Sequence, residues 1–172
     1  YDKELLQEAA KKSGLCEKIV ENFDERPKSL LYSIAMDSYS FALPGSGVGD
    51  SLEQQVYLAT FDTIRRLADE GPCVMIGRCA DYILKDREDT LHVYIHADMD
   101  YRADRIVRLY GESEKSPQTR LQEKDKRRKV NYQHYTGRSW GQAQNYDVCL
   151  CSSTLGEDRC VDILLDMVKN SK

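Results

Sequence analysis

Apolar residues recur at helical spacing through the first third of the chain. After Asp2 the pattern predicts a helix that Asp2 caps and that ends at Ser13-Gly14. A second short helix is predicted over 15–23 and a third, less regular one over 30–41. This part of the chain therefore reads as helical.

Glycine and proline interrupt the helical pattern at 43–49 and predict a loop there. Asp50 or Ser51 can cap the long amphipathic helix that follows. Its apolar stripe ends at Gly71-Pro72, a combination typical of a helix terminus. We therefore expect one long helix between this loop and residue 71.

Short apolar runs then alternate with helical patterns over the rest of the chain. Continuous apolar runs or alternating residues predict strands at 73–76, 91–96 and 147–151. Helical patterns follow near residue 80, from Asp98 or Asp100 to 110, over 112–135 and over 156–168. Strands joined by helices favour right-handed crossovers, so we predict an α/β fold with a parallel sheet flanked by helices.

Composition places the protein among ordinary globular chains. Its 172 residues are 41% hydrophobic and 31% charged, which suits a single domain with a sizeable core. A net charge of −4 argues against nucleic-acid or membrane-surface binding, which usually requires a basic surface. The sequence has no long apolar run and no leader-like start, so we expect no partnership with membranes. Its six cysteines form no CxxC pair, so we expect the protein to lie in the reducing cytoplasm.

Two of the predicted strands are followed by basic residues. Gly77-Arg78 comes directly after the first strand, where a glycine permits close backbone approach and a guanidinium suits phosphate. Arg102, Arg105 and Arg108 follow the second strand at a spacing of three. Ligands of open parallel sheets bind at the carboxyl ends of the strands. These arginines are therefore candidates for anion binding.

A third basic group lies at 124–129, followed by Tyr132, His134 and Tyr135. Each basic group by itself is typical of a solvated helix face. Phosphoryl transfer, however, needs several cations around one anion, since its catalysis is mainly positioning and charge stabilisation. If the three groups converge, the chemistry they predict is phosphoryl transfer.

His92 and His96 share one face of the second predicted strand and raise the question of a metal site. No third ligand accompanies them, so we predict no protein metal site here and interpret them as packed on a covered sheet face. Cys149 and Cys151 likewise share a strand face and are predicted to lie in the core.

Several segments of the chain form distinctive motifs. The most specific are Cys73 to Leu84, which includes Gly77-Arg78-Cys79-Ala80-Asp81, and the stretch from Trp140-Gly141 to Asn145-Tyr146-Asp147. Others are Tyr1 to Leu6, His96-Ala97 with Arg102 and Arg105, Asp125 to Arg128 and Tyr132 to Gly137. Together these segments resemble the bacterial cytidylate-kinase-like proteins, and the resemblance runs essentially from end to end.

This resemblance implies a three-layer P-loop NTPase fold of the nucleoside-monophosphate-kinase kind. The implied activity is transfer of the γ-phosphate of ATP, with Mg²⁺, to a small acceptor such as the nucleoside monophosphate CMP. Two other functions stay open: a non-catalytic nucleotide-sensing or interaction domain of the same fold, and an RNA-binding module that stacks bases on its tyrosines. The acidic net charge weakens the RNA hypothesis.

The resemblance also implies roles for individual residues. Arg78 would contact the phosphate of the acceptor, and Asp2, Gly77 and Asp81 would belong to the same substrate side. Arg102 and Arg105 would face the transferred phosphate. A mobile lid would span 112–137, with Arg128 acting on the transferred phosphate and Asp125, Lys126, Arg127 and Tyr132 contacting the nucleotide.

One part of the family pattern does not occur in residues 1–172. The family has a strand and a glycine-rich loop before the segment that resembles Tyr1 to Leu6, so we expect a single domain that lacks them here. The sequence Gly45 to Ser51 resembles the end of such a loop, but Asp50 stands where lysine is required. We interpret it as a connector, and we expect the unpaired sheet edge to favour homo-oligomers.

Overall fold

The structure is a computed structural model that describes residues 1–14 and 52–170. These residues belong to two compact units. One contains Tyr1–Asp86 with His134–Thr136, and the other contains Arg87–Gln133 with Gly137–Lys172. The helices predicted over 15–23 and 30–41, and the loop at 43–49, lie outside the described residues.

The first unit is built on two helices, α1 (Lys3–Ser13) and α2 (Leu52–Glu70), with a short α3 (Ala80–Ile83). Both long helices are confirmed where the apolar spacing predicts them. Gly14 ends α1 in the left-handed conformation with φ +69°, which glycine adopts without steric cost. The buried side chains at the centre of this unit come from α1, α2, α3 and the residue after α3: Leu5, Ile64, Ala80, Ile83 and Leu84.

The prediction of a strand at 73–76 is wrong for the described structure, because this segment is extended without entering a ladder. It does meet the backbone of Tyr1. The Tyr1 amino group donates a hydrogen bond to the carbonyl of Val74, and Ile76 N donates to the carbonyl of Tyr1 at 2.9 Å. These two bonds follow the pattern of a parallel pair, but one residue cannot make a strand. Val74 and Ile76 accordingly remain 76% and 60% exposed.

The second unit contains a two-stranded parallel sheet. Strand β1 (Val93–His96) pairs with β2 (Val148–Cys151), and Val93 lies opposite Val148. The predicted parallel pairing of these two segments is therefore confirmed, with each strand slightly shorter than expected. The unit's helical elements are α4 (Met99–Tyr110), most of α5 (Pro117–Thr136), a 3₁₀ turn (Ala143–Asn145), α6 (Ser152–Leu155) and α7 (Glu157–Asn170).

Helix α5 begins later than the charge pattern predicts, at Pro117 rather than at residue 112. Ser116 determines this start, since its hydroxyl oxygen accepts a hydrogen bond from Thr119 N at 3.2 Å. Proline is favoured in the first helical turn because it has no N–H to satisfy there. The helix ends at Gly137, which has φ +69°. Local capping chemistry thus explains both ends of the longest charged segment.

The segment after α5 is anchored to β1 by aromatic packing and by one aspartate. The Tyr94 ring lies 5.0 Å from that of Tyr146 and 5.6 Å from that of Trp140, the latter edge-on. The Asp147 carboxylate accepts a hydrogen bond from His92 N at 2.7 Å, and Asp147 N donates to the His92 carbonyl at 2.9 Å. The Trp-Gly and Asn-Tyr-Asp motifs therefore hold the start of the sheet.

Neither of the two strand cysteines that are predicted to lie in the core is buried, since Cys149 is exposed and Cys151 is half-buried. Cys73 is also exposed, whereas Cys79 and Cys160 are buried. Within the described residues, the strand of Cys149 has one ladder partner, so its apolar run need not be covered on both faces. Within residues 1–14 and 52–170, no helix combines the length and apolar character needed to cross a bilayer.

We expect Gly141→Ala to destabilise the protein by about 1–3 kcal/mol. Gly141 has φ +75°, and a Cβ there would lie 2.7 Å from the hydroxyl oxygen of Tyr94. The packed Tyr94 ring cannot easily move away. Urea unfolding measures the cost, and Gly137→Ala is the control, because Gly137 has a similar φ of +69° and no atom within 4 Å of its Cβ position.

The hydroxyl contact itself is tested in a Tyr94→Phe background. Removing the hydroxyl should recover part of the cost of Gly141→Ala and none of the cost of Gly137→Ala. Equal costs for the two alanine variants would show that backbone strain alone is responsible.

Candidate functional site

Gly77, Arg78 and Cys79 form an unusual turn that leads into α3. All three have left-handed backbone conformations, with φ of +70°, +56° and +57°. This conformation costs a residue with a side chain roughly 1–2 kcal/mol. The turn is closed by Ala80 N, which donates to the carbonyl of Gly77 at 3.0 Å. Strain of this kind concentrates at functional sites, so the turn is a candidate for one.

Arg78 points towards the chain start. Its side chain is only 12% exposed, and Nη2 lies 4.0 Å from an Asp2 carboxylate oxygen. Asp2 occupies the cap position of α1 as predicted, but its side chain makes no capping hydrogen bond. Asp81 lies in the first turn of α3, three residues after Arg78. The four residues predicted for the substrate side thus belong to one compact unit.

The second unit contains a cluster of three charged side chains, namely the arginine pair Arg102 and Arg128 and the carboxylate of Asp125. Arg102 on α4 donates two hydrogen bonds to the Asp125 carboxylate on α5, at 2.7 and 2.9 Å. Arg128, one turn after Asp125, donates a third at 3.2 Å. Two guanidinium groups therefore converge on one carboxylate, and one of them does so bidentately.

Electrostatics stabilise the charged forms of this cluster. Burial by itself would raise the pKa of Asp125, but the hydrogen bonds and charges of Arg102 and Arg128 outweigh it and hold that pKa below its usual value. The hydrogen bond with Asp125 in turn raises the pKa of the Arg102 guanidinium. Asp125 is only 17% exposed, so solvent screens these interactions less than it would at the surface. The lowered pKa keeps Asp125 ionised at neutral pH.

Arg105 does not join this cluster. Its Nε donates to the Glu157 carboxylate at 2.8 Å, and Arg108 lies 3.9 Å from the same carboxylate oxygen. The hydrogen bond and charge of Arg105 lower the pKa of Glu157. Sequence reasoning missed Glu157, because an acidic residue in the first turn of a helix is ordinarily explained by the helix dipole. Arg102 and Arg105 are therefore held by different carboxylates.

The remaining predicted lid residues differ in exposure. Lys126 is exposed and Arg127 half-buried on α5. Tyr132 is 4% exposed and packs as an interior side chain. Whether these side chains contact a nucleotide stays a prediction.

Tyr94 is a second residue of this region that sequence reasoning did not select. Burial, and after it the charge of Asp125, raises the pKa of the Tyr94 hydroxyl. His96 lies beside Tyr94 with ring centres 6.3 Å apart, and the His92 ring faces Thr90 at 3.5 Å. In the described parts of the chain, no three His, Cys, Asp or Glu side chains are placed to hold a metal ion.

The described residues thus form a mixed α/β protein with a small parallel sheet, a strained Gly-Arg-Cys turn in one unit and an arginine pair in the other. The profile of the cytidylate kinase-like family matches residues 1–154. The chain belongs to this family, as the motifs predict.

Two individual proteins are similar to the chain. A cytidylate kinase from Methanopyrus kandleri is 27% identical over 108 residues. This match covers 58% of the chain and 56% of that kinase, so the chain spans little more than half of its length. The crystal structure of an uncharacterized protein from Eubacterium ventriosum superposes with a TM-score of 0.64 at 27% identity, over 69% of this chain and 75% of that one.

Proposed function

We propose that the protein is a nucleotide kinase with a three-layer P-loop NTPase fold, which transfers the γ-phosphate of ATP to a nucleoside monophosphate such as CMP. In this reaction an acceptor phosphate oxygen bonds to the γ-phosphorus as the bond to the β–γ bridging oxygen breaks, and ADP leaves. Membership of the cytidylate kinase-like family supports the class of reaction. The choice of CMP follows the family and the named relative.

The observation that carries the proposal is the convergence of Arg102 and Arg128 on one anion. The planar guanidinium fork binds carboxylate and phosphate oxygens with the same geometry. A transferring phosphoryl group spreads its charge over three oxygens, and cations fixed around it lower the barrier. The two arginines already hold an oxyanion at 2.7–3.2 Å, here that of Asp125. We assign them, with Arg105, to the transferred phosphate.

In this proposal the Gly77-Arg78-Cys79 turn binds the acceptor nucleotide. A nearly buried guanidinium that is aimed by a strained turn is suited to a single phosphate group. Asp2 lies beside it and, with Asp81, would contact the rest of the acceptor. The 112–137 segment is proposed as the lid, because its charged side chains are mostly exposed along α5. We further propose that the protein acts in the cytoplasm and that its substrates are nucleotides rather than nucleic acid or membranes.

The charged residues suit ATP better than they suit a protein-bound metal. Arginines can bind its phosphate chain, whereas no described group of three ligands converges on a cation position. Mg²⁺ commonly binds through substrate phosphates with one or two carboxylates, and in kinases it offsets phosphate charge. We therefore include ATP and Mg²⁺ in the proposal, assign no described residue to the metal and route no step through it.

A non-catalytic nucleotide-sensing domain is the second candidate, and one observation favours it. Asp50 stands within Gly45 to Ser51, the one stretch of the sequence that resembles the end of a phosphate-binding loop, where a lysine would be required. A coupled assay of ADP release with ATP, Mg²⁺ and a panel of nucleoside monophosphates separates the two functions. Nucleotide binding without turnover, in every form of the chain tested, would favour the sensing domain.

We expect Arg78→Ala to weaken binding of the acceptor monophosphate by about 1.5–3 kcal/mol, the range for a hydrogen bond to a charged group. Isothermal titration calorimetry with CMP measures this. Arg65→Ala is the matched control, since Arg65 is an exposed arginine of the same unit that lies over the Phe61 ring. Unchanged CMP affinity in the Arg78 variant would remove Arg78 from the acceptor site.

A further inference from the structure

The carboxylate of Asp125 occupies the place between two guanidinium groups that an anionic ligand would take. Both of its oxygens are used: Oδ2 accepts from Arg102 Nη1, and Oδ1 accepts from Arg102 Nη2 and Arg128 Nη1. The two contacts from Arg102 measure 2.7 and 2.9 Å, within the range of charge-assisted hydrogen bonds, and the contact from Arg128 is longer at 3.2 Å. A phosphate oxygen cannot take the same donors while this carboxylate holds them.

The position of Asp125 favours its carboxylate over an added phosphate as the group that binds the two guanidinium groups. It lies on α5, three residues before Arg128, so the helix holds the carboxylate beside the guanidinium at high effective concentration. Both partners of the Arg102–Asp125 pair are largely shielded from water, with side chains 26% and 17% exposed. By contrast, Glu157 is about half exposed where it meets Arg105. Asp125 is thus the better shielded of the two carboxylates that hold the predicted catalytic arginines.

We infer that Asp125 is a built-in phosphate mimic, which closes the Arg102–Arg128 anion site when it is empty and is displaced by the phosphate chain of a nucleotide. This inference rests on the proposed function, because it takes Arg102 and Arg128 as phosphate-binding residues. Because Asp125 then competes with any incoming anion, the site is selective for multiply charged phosphates over weaker anions. A monovalent or singly bonded anion replaces fewer hydrogen bonds than the bidentate carboxylate supplies.

A purely structural role for Asp125 makes a different prediction. If the cluster only fastens α4 to α5, removing the carboxylate lowers stability and changes anion affinity only by the loss of one negative charge. If Asp125 is the mimic, removing it strengthens anion binding well beyond that charge effect, even though stability falls. A gain in affinity that clearly exceeds that of a matched charge-removing control is therefore expected only under the inference.

The experiment is calorimetric titration of inorganic tripolyphosphate, without Mg²⁺, into the chain and its Asp125→Asn variant. We expect Asp125→Asn to bind about tenfold more tightly or better, since one displaced charged hydrogen bond corresponds to roughly that factor. Glu123→Gln is the matched control. Glu123 lies two residues before Asp125 on α5 and pairs with Lys115 at 2.6 Å, and its substitution by Gln removes the same single charge. We expect its affinity to change by less than about twofold, since an exposed ion pair contributes little.

A second change identifies the site of the gain. Adding Arg102→Gln to Asp125→Asn should abolish the tighter binding, because Arg102 supplies two of the three donors. Equal or weaker tripolyphosphate binding by Asp125→Asn would overturn the inference, as would an equal gain in Glu123→Gln. Neither result depends on phosphate transfer, so loss of the proposed kinase activity would be recognised separately by the ADP-release assay.

The unchanged protein provides a test if Asp125→Asn fails to fold. The carboxyl ¹³C resonance of Asp125, followed by NMR, should move towards the value of a solvated carboxylate as tripolyphosphate is added. A resonance that stays in place while tripolyphosphate saturates the protein would show that Asp125 is not displaced.

Discussion

A chain that carries a glycine-rich phosphate-binding loop on the amino side of Tyr1 should transfer phosphate at least about a thousandfold faster than residues 1–172 alone. Arginines attract a nucleotide, but in-line transfer also requires the β- and γ-phosphates to be held in place. Backbone N–H groups and a lysine of such a loop do this in P-loop enzymes. In residues 1–172 the nearest equivalent has Asp50 in place of the lysine, which repels phosphate.

The backbone of Tyr1 supports this expectation. Its amino group and carbonyl bond to Val74 and Ile76 in the parallel pattern, so residues joined to Tyr1 would run beside this extended segment. They would also lie beside Val74, which is exposed. Burying a valine side chain stabilises a protein by roughly 1.5–3 kcal/mol. The longer chain should therefore be more stable as well as active.

The measurement is the coupled ADP-release assay, run on both lengths of chain with ATP, Mg²⁺ and CMP. Replacing the loop lysine of the longer chain by alanine is the control that separates phosphate binding from improved folding. Turnover by residues 1–172 at a rate comparable to the longer chain would contradict the expectation. Gly45 to Ser51 would then be the first segment to test as the phosphate cradle.

Arg102→Ala should lower kcat of the active chain by about a hundredfold to a thousandfold, the effect of removing one fixed donor from developing charge in a transition state. Arg102→Lys should recover only a small part of the loss, because an ammonium group cannot bind two oxygens in the guanidinium geometry. Steady-state kinetics at saturating ATP and CMP measure both variants. We expect KM to change less than kcat, since the contact strengthens in the transition state.

Arg108→Ala is the control for the Arg102 variants. Arg108 lies on the same helix, carries the same charge and has a 70% exposed side chain that only approaches Glu157. We expect its kcat to stay within about twofold of the parent, as is usual for surface substitutions. A loss in Arg102→Ala no larger than in Arg108→Ala would show that Arg102 is a structural residue of the α4–α5 contact. Urea unfolding must accompany both, because Arg102 also holds Asp125.

Much of the local structure could be predicted from the sequence. The periodic apolar positions of α1, α2 and α4, and the capping residues at Asp98 and Gly14, fall where the structure has them. These features depend on residues within one or two helical turns of each other. The family motifs were also readable from the sequence, and the family match over residues 1–154 agrees with them.

The extended segment at 73–76 shows where local reasoning failed. Its apolar run is suited to a buried strand, yet strand formation requires a neighbouring backbone to accept and donate hydrogen bonds. Among the described residues only Tyr1 supplies such bonds. The composition of the segment therefore predicted its tendency to form a strand, whereas the presence of a neighbouring backbone decided whether a strand forms.

The arginines illustrate the same division at the candidate site. The sequence by itself determined that basic residues follow the first two predicted strands and that Arg102 and Arg105 share a helix. Only the tertiary structure decided which carboxylate each would meet: Asp125, 23 residues from Arg102, and Glu157, 52 residues from Arg105. Helical periodicity acts over a few residues, whereas a salt bridge depends on how distant elements pack. Charge pattern therefore predicts where cations occur along the chain, and packing decides which anion each one holds.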